Sequence, residues 1–143
     1  MNDKLTTFEE KAINMFADFN KTFRRVLEKQ LKTAKIRREL LASAYIVIFD
    51  VAKNTETLRT SRRVPMEIVV DPQFTETRVI RCHKKPAYLR ISEDAIGLQL
   101  HFQEGRLIEL EIYSVSCKKL QVDICNSSKA IYLIYDDDFY PSA

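Results

Sequence analysis

The sequence is short of the residues that break a chain into pieces. Two glycines and four prolines among 143 residues exclude collagen-like, linker-rich and low-complexity organisation, and no internal repeat is visible. The three cysteines, Cys82, Cys117 and Cys125, are odd in number and lack the close spacing of a zinc ribbon or a redox pair. Reduced thiols packed as small hydrophobes are therefore expected, with no metal site and no disulfide framework. Long apolar runs are missing too. The longest, Ala44-Tyr45-Ile46-Val47-Ile48-Phe49, is far too short to span a bilayer, so no membrane role is expected. The start, Met1-Asn2-Asp3-Lys4, is polar where a secretory signal needs an apolar centre, which makes the cytoplasm the expected location. A charge excess is also lacking. With 23 basic and 20 acidic residues the net charge is +3, too little for nucleic-acid binding by bulk electrostatics. No glycine-rich phosphate loop or nucleophile motif occurs, so the chain is read as a non-enzyme that needs no cofactor.

What is present is apolar material in regular patterns. A hydrophobic content of 45% over this length is enough for one core and too little for two ordinary domains, so residues 1–143 are read as one domain. Thr6 and Thr7 stand three residues before Glu9 and Glu10, and either pair can form the capping box that starts a helix. Phe8, Ala12, Met15, Phe16, Phe19, Phe23, Val26, Leu27 and Leu31 then recur at helical spacing, with Lys11, Asp18, Lys21, Arg25 and Lys32 on the opposite side. This predicts an amphipathic stripe covering a sheet, in one helix or in two if Asp18 and Asn20 serve a break.

After a basic stretch, Lys35-Ile36-Arg37-Arg38, residues 45–51 read as a strand because β-branched and aromatic side chains dominate them. Residues 52–63 have no apolar period and read as a loop. Further strands are predicted over residues 64–70, 77–82, 87–91, 120–124 and 131–135, with a turn at Asn126-Ser127-Ser128 and an acidic tail, Asp136-Asp137-Asp138. Helices first and strands afterwards, without alternation of the two, predict an α+β fold with the helix or helices packed on a mostly antiparallel sheet.

The strongest pattern is a hairpin over residues 96–113. Ile96, Leu98, Leu100 and Phe102 alternate with polar residues, and so do Ile108, Leu110 and Ile112. Cross-strand partners must share a face. A two-residue loop at Glu104-Gly105 would set Leu100 against Glu109. A three-residue loop, Gln103-Glu104-Gly105, sets Leu100 against Ile108 and Leu98 against Leu110, with Gly105 at the left-handed position of a G1 bulge. That register places Gln99 opposite Glu109 and Gly97 opposite Glu111, with His101 diagonal to Glu109.

Gln99, His101, Gln103, Glu109, Glu111 and Tyr113 then share the polar face. A histidine beside carboxylates has the chemistry of an acid/base pair or a metal site. Alternating polar residues on a solvated sheet face need no such role, and the remaining ligands of a metal are not identified by the pattern. The basic clusters Arg24-Arg25, Arg37-Arg38, Arg62-Arg63 and His83-Lys84-Lys85 are scattered and lie beside acidic stretches, which weighs against nucleic acid as a partner.

Arg63-Val64-Pro65-Met66-Glu67, followed by Leu98-Gln99-Leu100-His101-Phe102, Gly105-Arg106-Leu107 and Glu109-Leu110-Glu111-Ile112-Tyr113, resembles a group of small bacterial proteins. In these an RVPVE-like strand precedes an LLH-containing strand and a G-x-L-x-ELEIY strand. Leu31-Lys32-Thr33-Ala34-Lys35-Ile36 resembles their passage from helix to sheet. Some members resemble immunity proteins that neutralise toxins delivered between bacteria. The resemblance implies a non-catalytic protein-binding module, a stoichiometric inhibitor whose partner is a cognate toxin domain. A housekeeping protein or a small enzyme with a ligand site on the exposed sheet face is the alternative. If the partner's cleft is basic, the expected contact residues are His101, Glu109, Glu111, Tyr113, Asp136, Asp137 and Asp138, with carboxylates steering the encounter and tyrosine as an aromatic anchor. The long basic insertion between the Val64 strand and the hairpin departs from the group's pattern, as do the Ile131 strand and the acidic tail.

Overall fold

A computed structural model describes residues 4–120 and 129–137 of the chain. Its elements run α1 (Thr7–Ala17), α2 (Lys21–Thr33), β1 (Lys35–Leu40), β2 (Ala44–Asp50), β3 (Met66–Val70), β4 (Arg78–Arg81), β5 (Ile96–Gln103), β6 (Arg106–Ser114) and β7 (Ala130–Ile134). The fold is α+β: the helices precede a sheet of seven strands in the order β1-β2-β6-β5-β3-β7-β4. Every pairing is antiparallel except that of β4 with β7. No helix among the described residues is long and apolar enough to cross a membrane.

The helical stripe is broken in two, and each half has its own cap. Thr6 Oγ1 accepts from the Glu9 backbone at 3.2 Å while Glu9 Oε1 accepts from the Thr6 backbone at 2.9 Å, so the capping box forms on Thr6. Asp18 closes α1. Asn20 then restarts the chain, its Oδ1 taking the Thr22 and Phe23 amides at 2.8 and 3.2 Å, which satisfies donors that a helix start leaves without partners. Ala12, Ile13, Phe16, Phe23, Val26 and Leu27 are buried against the sheet, with Phe8, Met15, Phe19 and Leu31 packed at the margin.

β1 was not expected as a strand. The basic stretch Lys35-Ile36-Arg37-Arg38 pairs with β2, Ile36 opposite Phe49 and Arg38 opposite Val47, so Ile36 and Arg38 both point to the helix side. A charge at a core-facing position breaks the alternation by which strands are read. It is tolerated because Glu9 of α1, fully buried, receives Arg38 Nε at 2.6 Å and Nη2 at 2.8 Å and also the Tyr45 hydroxyl. Burial pushes the Glu9 carboxyl up, but the hydrogen bonds from Arg38, Tyr45 and the Thr6 backbone outweigh it and hold Glu9 below its ordinary value.

The hairpin forms with a different register from the one expected. Its loop is the two-residue Glu104-Gly105, both with positive φ (52° and 78°), the signature of a type I′ turn. Phe102 pairs with Leu107, but His101 pairs with Glu109, so Ile108 is an extra residue on β6. That bulge resolves the phase conflict. Beyond it Leu100 faces Leu110, Leu98 faces Ile112, Gln99 faces Glu111 and Gly97 faces Tyr113. The turn itself is clasped from the helix side. The buried Gln30 donates to the carbonyls of Gly105 (2.9 Å) and Glu56 (3.0 Å) and accepts from the Leu107 amide (2.8 Å). A Cβ on Gly105 would lie 2.3 Å from the Leu58 carbonyl, so both backbone conformation and space require glycine there.

Two clusters occupy the two sides of the sheet. Ile68, Val70, Leu98, Leu100, Leu110 and Ile112 lie beneath the helices. On the outer side, Val69, Ala95, Ile131 and Leu133 are buried with Phe74, Ile80, Cys82, Leu89 and Ile91 around them. Residues 87–91, expected as a strand, are irregular. Leu89 and Ile91 belong instead to the segment between β3 and β5 that folds over the outer side of β3 and β7. The strand expected over residues 120–124 and the turn at 126–128 lie outside the described residues, apart from Leu120. β7, expected to close the sheet, lies inside it between β3 and β4.

Candidate functional site

The bulge at Ile108 decides which side chains meet on the outer face. Without it, the two-residue turn would set Ile108 against His101 and direct Glu109 and Glu111 to the helix side. With it, His101 is directly opposite Glu109, with Glu111 on the next outward position of β6. One nitrogen of His101 and one oxygen of each glutamate lie within 4.8 Å of one another. His101 Nε2 is 3.1 Å from Glu111 Oε1. Its other nitrogen, Nδ1, accepts from Arg63 Nε at 3.2 Å, which assigns the ring proton to Nε2, directed at Glu111. Arg63 also sits 3.8 Å from Glu109.

Arg63 was visible in the sequence as the end of a basic pair and the start of the Arg63-Val64-Pro65-Met66-Glu67 stretch, not as a partner of the hairpin. Its backbone carbonyl accepts from the Phe102 amide at 2.7 Å, which places the residue beside β5 just before β3 begins. Ile46 and Ile48 of β2, half-buried, pair with Glu111 and Glu109 respectively and so share their face. The outer side thus sets apolar side chains of β2 beside carboxylates of β6, with Gln99 and His101 of β5 on the far side of those carboxylates.

Tyr113 and its surroundings have a different character. Gly97 offers no side chain, and the Tyr113 ring lies over it, so that a Cβ there would come within 2.1 Å of the ring. The Tyr113 hydroxyl reaches across β5 to Glu67. Glu67 is 2% exposed and also accepts from Gln99 Nε2 at 2.7 Å and from the Tyr135 hydroxyl at 3.1 Å. Burial first, then the Glu67 carboxylate, push both tyrosine hydroxyls well above their ordinary range, which keeps them as proton donors. Lys85, from the covering segment, lies 5.9 Å from the centre of the Tyr113 ring and 4.0 Å from Glu67. Glu67 was read from sequence only as part of a strand. A lone acid between apolar neighbours was the one signal of its burial.

Of the residues expected to form a contact surface, His101, Glu109 and Glu111 are brought together, and Tyr113 lies beside them but turned onto Glu67. Asp136 and Asp137 follow β7, two strands from β5, roughly 10 Å away at ordinary strand spacing. There Asp136 accepts from Thr60 Oγ1 at 2.6 Å and Asp137 from Arg81 Nε at 2.8 Å. Asp138 lies outside the described residues. Cys82 and Cys117 are free thiols, and burial followed by the Glu67 charge pushes the Cys82 thiol up.

The arrangement defines a sheet protein with one half of its outer face sealed and the other lined by carboxylates, an imidazole and β-branched side chains. Compared with known proteins, the chain matches no family model, no curated protein and no solved structure.

Proposed function

We propose that the protein is a non-catalytic protein-binding module that neutralises a bacterial toxin domain by occluding it. The observation that carries the reading is the half of the outer sheet face that no described residue covers, where Ile46 and Ile48 stand beside Glu109 and Glu111 on strands inside the sheet. Partly exposed β-branched side chains supply apolar contact, and carboxylates on a rigid sheet supply a preformed charge pattern that needs little ordering when a partner binds. A basic, phosphate-binding cleft is the complementary surface. Asp136 and Asp137 extend the acidic rim at the end of β7. Tyr113 supports the site from the side through Glu67, so the interface centres on the hairpin carboxylates and the β2 isoleucines. The resemblance of the hairpin to immunity-type proteins supports the toxin as partner, and the free thiols of Cys82 and Cys117 fit a reducing cytoplasm.

The test is a titration of the full chain against candidate toxin domains encoded in the same cell, with size-exclusion chromatography to register a heterocomplex. The double variant Glu109→Lys, Glu111→Lys should keep the folded circular-dichroism spectrum, bind at least tenfold more weakly and show a shallower salt dependence. Parent-like affinity in that variant would remove the hairpin's outer face from the interface.

A further inference from the structure

We propose that His101, Glu109 and Glu111 form a binding site for a first-row divalent transition metal, Zn2+ being the natural probe, and that Arg63 is its built-in competitor. This inference does not rest on the protein partner, although metal and partner would draw on the same carboxylates, Glu109 and Glu111. It starts from the donor set: one imidazole nitrogen and two carboxylate oxygens within 4.8 Å of one another. Ligand atoms around a tetrahedral zinc at its usual bond lengths are about 3.3 Å apart. His101 Nε2 and Glu111 already meet at 3.1 Å; to ligate, Nε2 must present its lone pair, and the ring proton moves to Nδ1 as the Arg63 guanidinium leaves that nitrogen. Only Glu109 has to swing inward, by side-chain rotation, because the facing pair His101 and Glu109 sits on adjacent strands whose Cβ atoms are about 5 Å apart.

The second observation is what stands at the site. The Arg63 guanidinium contacts His101 Nδ1 at 3.2 Å and approaches Glu109 to 3.8 Å, so a cation already answers the charge of these ligands. Its side chain is 62% exposed, whereas those of His101, Glu109 and Glu111 are 12%, 26% and 29% exposed. The ligands are therefore held by the sheet while the competing cation can move into water. Two carboxylates and a neutral imidazole balance a dipositive ion, whereas Arg63 leaves the cluster with one uncompensated negative charge. Three protein ligands leave a coordination position to solvent, and the bulge at Ile108 aims Glu109 at the shared point.

Isothermal titration of the full chain with Zn2+ should show one site assignable to this cluster. Binding at that site should weaken by at least about tenfold in His101→Gln and in Glu111→Gln, and tighten severalfold in Arg63→Gln, where the competitor is gone. Cys82 and Cys117 are alternative ligands, so Co2+ is the second probe. Its visible spectrum in the parent should lack the thiolate charge-transfer band and should be lost in His101→Gln. The histidine and glutamate variants alter partly buried residues, and a denaturant midpoint close to the parent's confirms that each is folded. Zn2+ affinity unchanged in both ligand variants, or a thiolate band in the Co2+ spectrum, would overturn the site. Unchanged or weaker binding in Arg63→Gln would overturn the competition.

Discussion

The two halves of the outer sheet face handle carboxylates in opposite ways. On the β3 side, Glu67 is 2% exposed, takes hydrogen bonds from Tyr113, Tyr135 and Gln99 and is roofed by the segment that carries Lys85. On the β6 side, Glu109 and Glu111 remain partly exposed and are met by Arg63 and His101. A buried charge must have its lone pairs filled, and once they are filled nothing is left for a ligand. A half-exposed carboxylate needs no such saturation and can exchange partners. The difference between the halves is therefore the difference between a structural acid and an available one.

Four experiments put this contrast to the test. The largest effect should come from the common floor beneath both halves. Leu100 and Leu110 face each other on the helix side, 1% and 0% exposed, and replacing either by Ala should cost about 2–5 kcal/mol through lost transfer energy and the cavity left behind. Denaturant melts showing almost no loss in both would refute the pairing.

Next, Glu67→Ala should cost about 2–4 kcal/mol, since it orphans donors that the fold has buried, whereas Glu109→Ala should cost less than about 1 kcal/mol, as exposed ion pairs do. Equal losses would erase the distinction between the halves.

A smaller loss, about 1–3 kcal/mol, should follow Gly105→Val, which forces a β-branched residue to a φ of 78° against the Leu58 carbonyl. An unchanged unfolding midpoint would show that the turn conformation is not required.

The finest test separates the outer acids from the buried one on the helix side. Glu9 has its carboxyl held below the ordinary value of 4.5, so its contribution to stability is complete above that value and is lost as pH falls through the lower, folded one. Acid titration of stability should therefore be flatter in Glu9→Gln than in the parent. An identical slope in the two would place the acid sensitivity elsewhere.

Much of this molecule was legible before folding, but unevenly. The capping box at Thr6 or Thr7, the helical stripe and the alternation in β5 are local signals, and they appear in the structure, the box on Thr6 and the stripe divided between two helices. The bulge was not legible, because an extra residue in a strand is recognised only against its partner, and the apolar Ile108 resembled one more core position. β1 was hidden by Arg38, whose core-facing position makes sense only once Glu9 arrives from α1. The covering segment was hidden for another reason. Irregular chain has no period, and Leu89 and Ile91 looked like a strand although they serve as a lid over Val69 and Leu133.

For the contact surface the division is similar. Sequence alone determined that His101, Glu109 and Glu111 stand on the two strands of one hairpin, but the expected register set Glu111 opposite Gly97, and it is the bulge at Ile108 that put Glu109 opposite His101 and brought Glu111 beside it. Only tertiary structure decided that they share a point with Arg63, that Tyr113 turns away to Glu67, and that one half of the face is roofed while, among the described residues, nothing covers the other. The physical reason is range. Alternation, caps and turns are set by neighbours along the chain, whereas burial of a charge and choice of its partner depend on segments brought together from distant positions in the sequence.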